Sequence, residues 1–555
     1  MLMLAVMAYY ALFFTRGIQQ TGDSLGYALS IKTGEGLFHP HHLLYNPLVR
    51  PFYLILSAIN SSCDAILAAQ LHNILWAILA VLAAYILINH LYQSRRAGIL
   101  AGLCLLLTRG FWGYTTQVEV YVPATACLII LVSHVITQKS LLMKKKDQIY
   151  MAVIFSMAIF FHQTNVLFCI PLAFYLIAEH GKSGFKVWLN IMIFSFIIVS
   201  SAYIIAFVIS TGTLRLRWFK RFLFSYVKFK NPEWGKFSHF GPGGIRQLLE
   251  SQVSTITVWP STLAVSLAGA VMMAWHTIQI WKKNQYYKIR LFMIIWLIVY
   301  YLFFLWWLPS DSEFFIVTLV PIILLLFIFI FDLLNIKYWT LGTRHDIVIL
   351  ILTLIFCFFT FVNLFNVLRY HRSIGEDYKE AGRLMNITPP NCYILSTFSV
   401  YQHIRYYYNY NNTLILPHQY FYYHQTLPEK HRAIKNRCIT ISMEYILPGY
   451  TIGSMNGQTH PKEWMEWLNW LFNFQYNEAG HPVSCREFAT FSSRKNAYLL
   501  IRPVQMPIEG LDDLFTMLDN AVQNLAGEDA TPFMSWLHLH ASFGSTRAVS
   551  ARKDH

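Results

Sequence analysis

Charge is scarce in this sequence. Only 13% of its 555 residues are charged and 55% are hydrophobic, whereas soluble domains carry about 25% charged residues. That excludes a purely soluble fold. Strands of alternating polarity are missing, which excludes a membrane β-barrel. The eight cysteines contain no C-x-x-C pair and no metal-ligand spacing, so no zinc or dithiol site is expected. No internal repeat is visible. The segment 2–14 lacks a basic n-region and a small-residue cleavage site, so it reads as a retained first helix. The net charge of +15 is not gathered into a nucleic-acid patch, and no nucleic-acid partner is expected.

What is present is a series of apolar runs separated by short basic loops. About eleven of them approach the length a bilayer requires: 2–14, 64–92, 98–110, 121–138, 149–161, 165–179, 187–210, 256–281, 291–308, 314–335 and 346–368. The fold class is a polytopic α-helical membrane protein. Phe52–Ile59 is apolar but too brief to cross and reads as an interfacial or re-entrant piece. Arg95 and Arg96, Lys144 to Lys146, Lys182 and Lys186, Lys282 and Lys283, and Lys337 and Arg344 fall on one side, which the positive-inside rule makes cytoplasmic. The stretches 15–64, 110–121, 161–165, 211–255 and 309–313 then face outward, as does everything after about residue 369.

These outward loops hold the polar residues. Thr15–Pro51 carries Asp23 in a Gly-Asp-Ser turn and the run His39-Pro40-His41-His42. Carboxylates and imidazoles at a membrane boundary are costly unless a polar cavity receives them, so they point to a site. Taken alone, Asp23 also fits a helix cap or turn, and each histidine fits an interfacial side chain. Glu119 and Tyr121 stand where the next outer loop re-enters the membrane, and Glu119 is equally suited to pairing with Arg109. His162 opens the polar knot His-Gln-Thr-Asn, which also suits a cap between helices. Asp311 and Glu313 read as simple turn residues. One outward loop breaks the charge rule. Residues 211–255 carry Arg215, Arg217, Lys220 and Arg221 among Trp218, Phe219 and Phe222. Basic residues interleaved with aromatics suit a phosphate headgroup on a lipid, and equally an amphipathic helix lying on anionic lipid.

After residue 370 the composition turns polar. Residues 371–526 are expected to form an extracytoplasmic soluble α/β domain, with strands at Cys392–Ser396, Asn412–Leu416 and Ala497–Ile501 and helices at Lys462–Phe474 and Gly510–Leu525. A weakly ordered tail, 527–555, follows. Cys392, Cys438 and Cys485 lie in this domain and allow one disulfide with one thiol left over.

Thr21-Gly22-Asp23-Ser24, Gly36-Leu37-Phe38-His39-Pro40 and Leu44-Tyr45 together resemble the first luminal loop of the GT-C membrane glycosyltransferases, in the branch related to transmembrane protein O-mannosyltransferases. Gln117-Val118-Glu119-Val120-Tyr121 is similar to that branch's Q-x-E-V-Y motif, and His162-Gln163-Thr164-Asn165 to its polar turn. The resemblance covers the first third well and the later spans in layout. It departs after His39-Pro40, where His41-His42-Leu43-Leu44 stands in place of a Pro-Gly-containing run, and the loop has one Asp instead of an Asp-Glu pair.

The resemblance implies inverting transfer of a sugar from a polyprenyl-phosphate donor to an acceptor hydroxyl on the outer face, with the first-loop Asp23 as base. A departing phosphate is already a stable anion, so one carboxylate suffices, unlike glycoside hydrolysis. The expected partners are the lipid-linked sugar, a protein, lipid or glycan acceptor, and the bilayer. His39, His41, His42, Glu119, Tyr121 and His162 would contact the substrate. Arg215, Arg217, Lys220 and Arg221 would meet its phosphate. No cofactor is expected, and a divalent metal is left open. A bacterial cytoplasmic membrane is the favoured location, or the endoplasmic reticulum if the chain is eukaryotic. The competing readings are a transporter or flippase for a lipid-linked glycan and a non-catalytic scaffold. Against transport, the polar knots sit at span ends and not at midplane.

Overall fold

The computed structural model describes residues 21–138, 144–223, 234–257, 286–333, 363, 375–415, 437–442, 471–473, 475–476, 478, 482–493 and 496–507. The chain divides into two compact units, Met1–Ile374 and Gly375–His555. The expected span 2–14, the expected span 256–281 from residue 258 on, the expected span 346–368 (residue 363 apart), the two later helices of the second unit save residues 471–473, and the tail lie outside the described residues.

The first unit is helical. Its elements are α1 (Gly22–Thr33), α2 (Tyr45–Ile59), α3 (Ala65–Tyr92), α4 (Arg95–Leu106), α5 (Arg109–Thr115), α6 (Tyr121–Thr137), α7 (Lys145–Phe161), α8 (Cys169–Thr211), α9 (Leu216–Leu223), α10 (Pro242–Ile256), α11 (Tyr287–Trp307) and α12 (Ile316–Leu333). Among the described residues four stretches are long and apolar enough to cross a membrane: Ala65–Tyr92, Gln163–Thr211, Tyr287–Trp307 and Ser312–Phe329. The pair α4 and α5 meets the same test as a broken span bent by 68°, where 98–110 reads as one straight run. Its bend leaves carbonyls without helical partners. Asn363 Nδ2 answers this, donating to Leu107 O at 3.0 Å and to Ile256 O at 2.9 Å.

Segment 163–211 holds the two spans expected at 165–179 and 187–210, joined by a sharp break instead of a basic loop. At about 1.5 Å per residue a straight helix of this length would far exceed a bilayer. The chain breaks instead at Gly181, with φ 58° and ψ −132°, a conformation that only glycine adopts cheaply. Trp188 Nε1 then reaches back to Cys169 O at 3.0 Å. The polypeptide turns on a single residue, and Lys182 and Lys186 already belong to the returning helix. Apolar side chains left exposed on that helix, such as Phe196, Ile197 and Ile209, suit a lipid-facing surface.

The second unit holds a six-stranded sheet in the order β2-β1-β3-β6-β5-β4. The strands are β1 (Tyr393–Ser396), β2 (Thr413–Ile415), β3 (Ile439–Ser442), β4 (Gln475–Tyr476), β5 (Pro482–Ser493) and β6 (Asn496–Pro507). β1 runs parallel to β2 and β3, and the remaining pairings are antiparallel. Helices α13 (Glu376–Ile387) and α14 (Phe398–Tyr408) bury Ala381, Leu384, Val400 and Ile404 with Ile394 and Tyr498 of the sheet. Of the three cysteines in this unit, Cys392 and Cys438 form a disulfide and Cys485 is buried outside it.

Candidate functional site

Polar residues from loops far apart in sequence meet in the helical unit. Thr21 caps α1, its Oγ1 accepting from Ser24 N at 3.1 Å. The cap fixes where the helix starts and sets Asp23 in its first turn. Thr21 Oγ1 and Ser24 Oγ both donate to Glu119 Oε1, at 3.1 and 2.9 Å. Glu119 therefore binds the start of α1. Arg109, the partner that sequence offers it, donates instead to Ser254 O at 3.1 Å.

The bent segment 116–120 ahead of α6 is held by α3. Gln70 Nε2 donates to Thr116 O at 2.6 Å, and Asn73 Nδ2 to Gln117 O and Glu119 O, both at 2.8 Å. These amides sit in the outer turns of an otherwise apolar span, a signal that intramembrane polar residues always carry. Replacing Asn73 by leucine would leave two buried carbonyls unpaired, at about 1–3 kcal/mol each. A clear fall in melting temperature of the purified protein is expected; an unchanged melt would show that these bonds hold nothing in place.

Asp23 stands within electrostatic reach of Glu119, Asp311 and Glu313. Asp311 and Glu313, read from sequence as turn residues, thus belong to the same acidic group. Their turn is fixed by Thr255 Oγ1, which donates to Ser312 O at 3.1 Å, and by Tyr114 OH near Ser312 Oγ at 3.4 Å. Asp23 is exposed to solvent, yet protein surrounds its carboxyl closely. That crowding outweighs the favourable helix end and pushes its carboxyl above the ordinary range. Glu119 has no such exposure. Burial pushes it up strongly, and the Asp23 charge adds to this. The more deeply buried Glu119 is thus the carboxyl that burial holds more strongly in its neutral form.

The histidines form a second wall. His42 N bonds to His39 O at 3.0 Å, and their rings stack at 5.3 Å. His42 in turn lies 5.1 Å from His162, which lies 4.9 Å from Tyr121, between ring centroids. The loop is anchored by Gln163 N to His41 O at 3.1 Å and Tyr203 OH to Pro40 O at 2.7 Å. Burial lowers His39 to about 4 and His41 and His162 to about 3. These imidazoles are neutral near pH 7. They suit hydrogen bonding and ring contact with a sugar. Among the described residues no three carboxylates, imidazoles or thiols are arranged to hold a metal ion.

The basic residues lie on α9 and just before it. The apolar face of α9 packs through Phe219, Phe222 and Leu223 onto the cluster of Leu43, Phe160, Tyr203 and Ala206, next to the histidine loop. Arg215, Arg217 and Lys220 are exposed. The side chain of Arg221 lies outside the described residues.

Residues 46–205 match the family model of dolichyl-phosphate-mannose-protein mannosyltransferase. The stretch includes Glu119, Tyr121 and His162 and begins after Asp23 and the histidine run. In structure, the chain is similar to ArnT from Cupriavidus metallidurans bound to undecaprenyl phosphate, with a TM-score of 0.55 at 10% identity over 91% of this chain and 97% of that one.

The chain has the GT-C fold.

The same ArnT in its apo state superposes with a TM-score of 0.52, at 10% identity over 90% of this chain and 97% of the other. The oligosaccharyltransferase of Archaeoglobus fulgidus is similar at 0.49 and 13% identity, over 92% of this chain and 75% of that chain. No curated protein matches by sequence. The resemblance to GT-C glycosyltransferases related to the O-mannosyltransferases thus holds, with the Q-x-E-V-Y motif inside the matched stretch and the first-loop motif ahead of it. In this GT-C chain the motif Glu119 and the first-loop Ser24 are joined by a direct hydrogen bond across 95 residues of sequence.

Proposed function

We propose that this protein is an integral-membrane glycosyltransferase that moves a sugar from a polyprenyl-phosphate donor to an acceptor hydroxyl on the extracytoplasmic face, with inversion. The carrying observation is Asp23: an exposed residue, set by a helix cap, in a group of acids beside a wall of neutral histidines. Asp23 takes the acceptor proton as the hydroxyl oxygen attacks the anomeric carbon, and the phosphate leaves with the bonding pair of the C–O bond. Glu119 keeps its proton and fixes the α1 start. Positioning of the two substrates supplies much of the rate. The undecaprenyl phosphate held by the similar ArnT supports a polyprenyl donor for this chain. Arg215, Arg217, Lys220 and Arg221 are assigned to headgroups at the membrane surface, where α9 lies beside the histidine loop. The Cys392–Cys438 disulfide supports an oxidising compartment for the second unit, in keeping with an outward face in a bacterial cytoplasmic membrane.

The test is incubation of the purified protein with a panel of polyprenyl-phosphate sugars and candidate acceptors, with products identified by mass spectrometry. Lipid movement without a covalent product would replace this reading by a flippase. The pH dependence is a further check. A base must be ionised, and the Asp23 carboxyl is raised, so activity falls as pH drops through a value above the roughly 3.9 of an ordinary aspartate. Glu119→Gln keeps the accepting oxygen and mimics the neutral acid, so the acid limb is expected to stay in place with transfer retained to within about tenfold. A limb that moves by a unit or more in Glu119→Gln would mean that Glu119 is the titrating base.

A further inference from the structure

A half-open cleft adjoins the acidic group. It encloses about 230 Å³ including its mouth and is lined by Tyr121, Ala124, Thr125, His162, Phe314 and Val317, with Thr164 and Asn165 completing it. Its closed part admits a single water-sized group. The three rings form one wall: Tyr121 lies 4.9 Å from His162 and 6.0 Å from Phe314, and His162 lies 5.9 Å from Phe314, between centroids. The Tyr121 hydroxyl hydrogen-bonds Glu313, so the cleft and the carboxylates share a residue. Asn165 is not free to serve the cleft fully, since its Oδ1 accepts from Tyr300 OH at 3.1 Å and its Nδ2 donates to Ala158 O at 3.0 Å.

We infer that this cleft receives the exocyclic carbon of the transferred sugar and so selects hexosyl and 6-deoxyhexosyl donors over pentosyl ones. The inference rests on the glycosyltransferase reading above. On a pyranose ring the hydroxyls are single atoms held against the ring, and the C5 substituent is the one group that projects a carbon away from it. A space for one small group suits that substituent and not a whole sugar. Its lining is matched to the same chemistry. Ala124, Val317 and Phe314 offer apolar contact to a carbon, and Thr125 and Thr164 offer hydroxyls to an oxygen carried on it. Among the described residues no lysine or arginine lines the cleft, so a C6 carboxylate would be buried there without a counter-charge. Uronosyl donors are therefore rejected.

The experiment uses the full-length protein in lipid nanodiscs, supplied with an equimolar mixture of pentosyl, 6-deoxyhexosyl, hexosyl and uronosyl polyprenyl phosphates. Product ratios are read by mass spectrometry. The wild type is expected to transfer hexosyl or 6-deoxyhexosyl groups and no uronosyl group. Ala124→Leu fills the cleft and should move the ratio toward the pentosyl product by about tenfold or more, the usual effect of one carbon in a close-fitting pocket. Ala124→Val should give a smaller shift in the same direction, which keeps the test decisive if the leucine variant fails to fold. A ratio unchanged in the valine variant, or equal loss of all products in both variants, overturns the cleft assignment. So does a wild type that transfers pentose alone. A wild type that transfers nothing from any donor overturns the glycosyltransferase reading itself, a separate outcome from these.

Discussion

Asp23→Asn is expected to abolish sugar transfer while leaving the protein folded. The substitution keeps the size of the side chain and removes the proton acceptor. The cap that starts α1 is made by Thr21, and the bonds to Glu119 come from Thr21 and Ser24. None of these uses the Asp23 carboxylate, so the site should keep its shape. Asparagine also relieves the crowding of a charge whose ionisation burial opposes, so stability should hold or rise slightly. General-base catalysis contributes about 10²–10⁴-fold, and turnover should fall by at least that factor with little change in donor affinity. Single-turnover transfer by mass spectrometry, with a melting curve on the same sample, measures both parts. Ordinary turnover by a folded Asp23→Asn protein would remove Asp23 from the mechanism.

Gly184→Val should prevent the first unit from assembling. The helix that returns from the Gly181 turn passes so close to the preceding one that a Cβ on Gly184 would lie 1.9 Å from Leu176 O and 2.5 Å from Leu176 C. Both are backbone atoms and cannot swing aside as a side chain would. Relief requires prising apart the two arms, with loss of the Trp188 bond to Cys169 O and of the packing around it. A cost of about 4 kcal/mol or more is expected, in the range reserved for severe core faults. The observable is loss of the monodisperse peak in detergent chromatography. Gly113→Ala is the control, because nothing lies within 4 Å of a Cβ at that position. A Gly184→Val protein that melts like the wild type would show that the hairpin is looser than this.

Legibility differed by the kind of residue. The outward loops announce themselves because polar groups among apolar runs are individually expensive, and Asp23, His39, His42, Glu119 and His162 are visible for that reason. Asp311 and Glu313 were hidden by their setting, since Pro-Ser-Asp-Ser-Glu reads equally well as an ordinary turn. Gln70 and Asn73 sit within a 28-residue helix whose hydropathy overwhelms two amides. The basic run at 215–221 was visible, but which way it faced was not. Its aromatic residues found partners on α8, and that packing left Arg215, Arg217 and Lys220 exposed.

Hydropathy and loop charge mark this chain as a membrane protein and show which polar residues stand at the ends of its apolar runs. Both are sums over neighbouring residues, so they can be read without coordinates. That Glu119 meets Ser24 and not Arg109, that 163–211 folds back at one glycine, and that Cys392 joins Cys438 emerge only from the fold. Each of those choices sets two segments in competition for one partner, and only side-chain packing in three dimensions settles it.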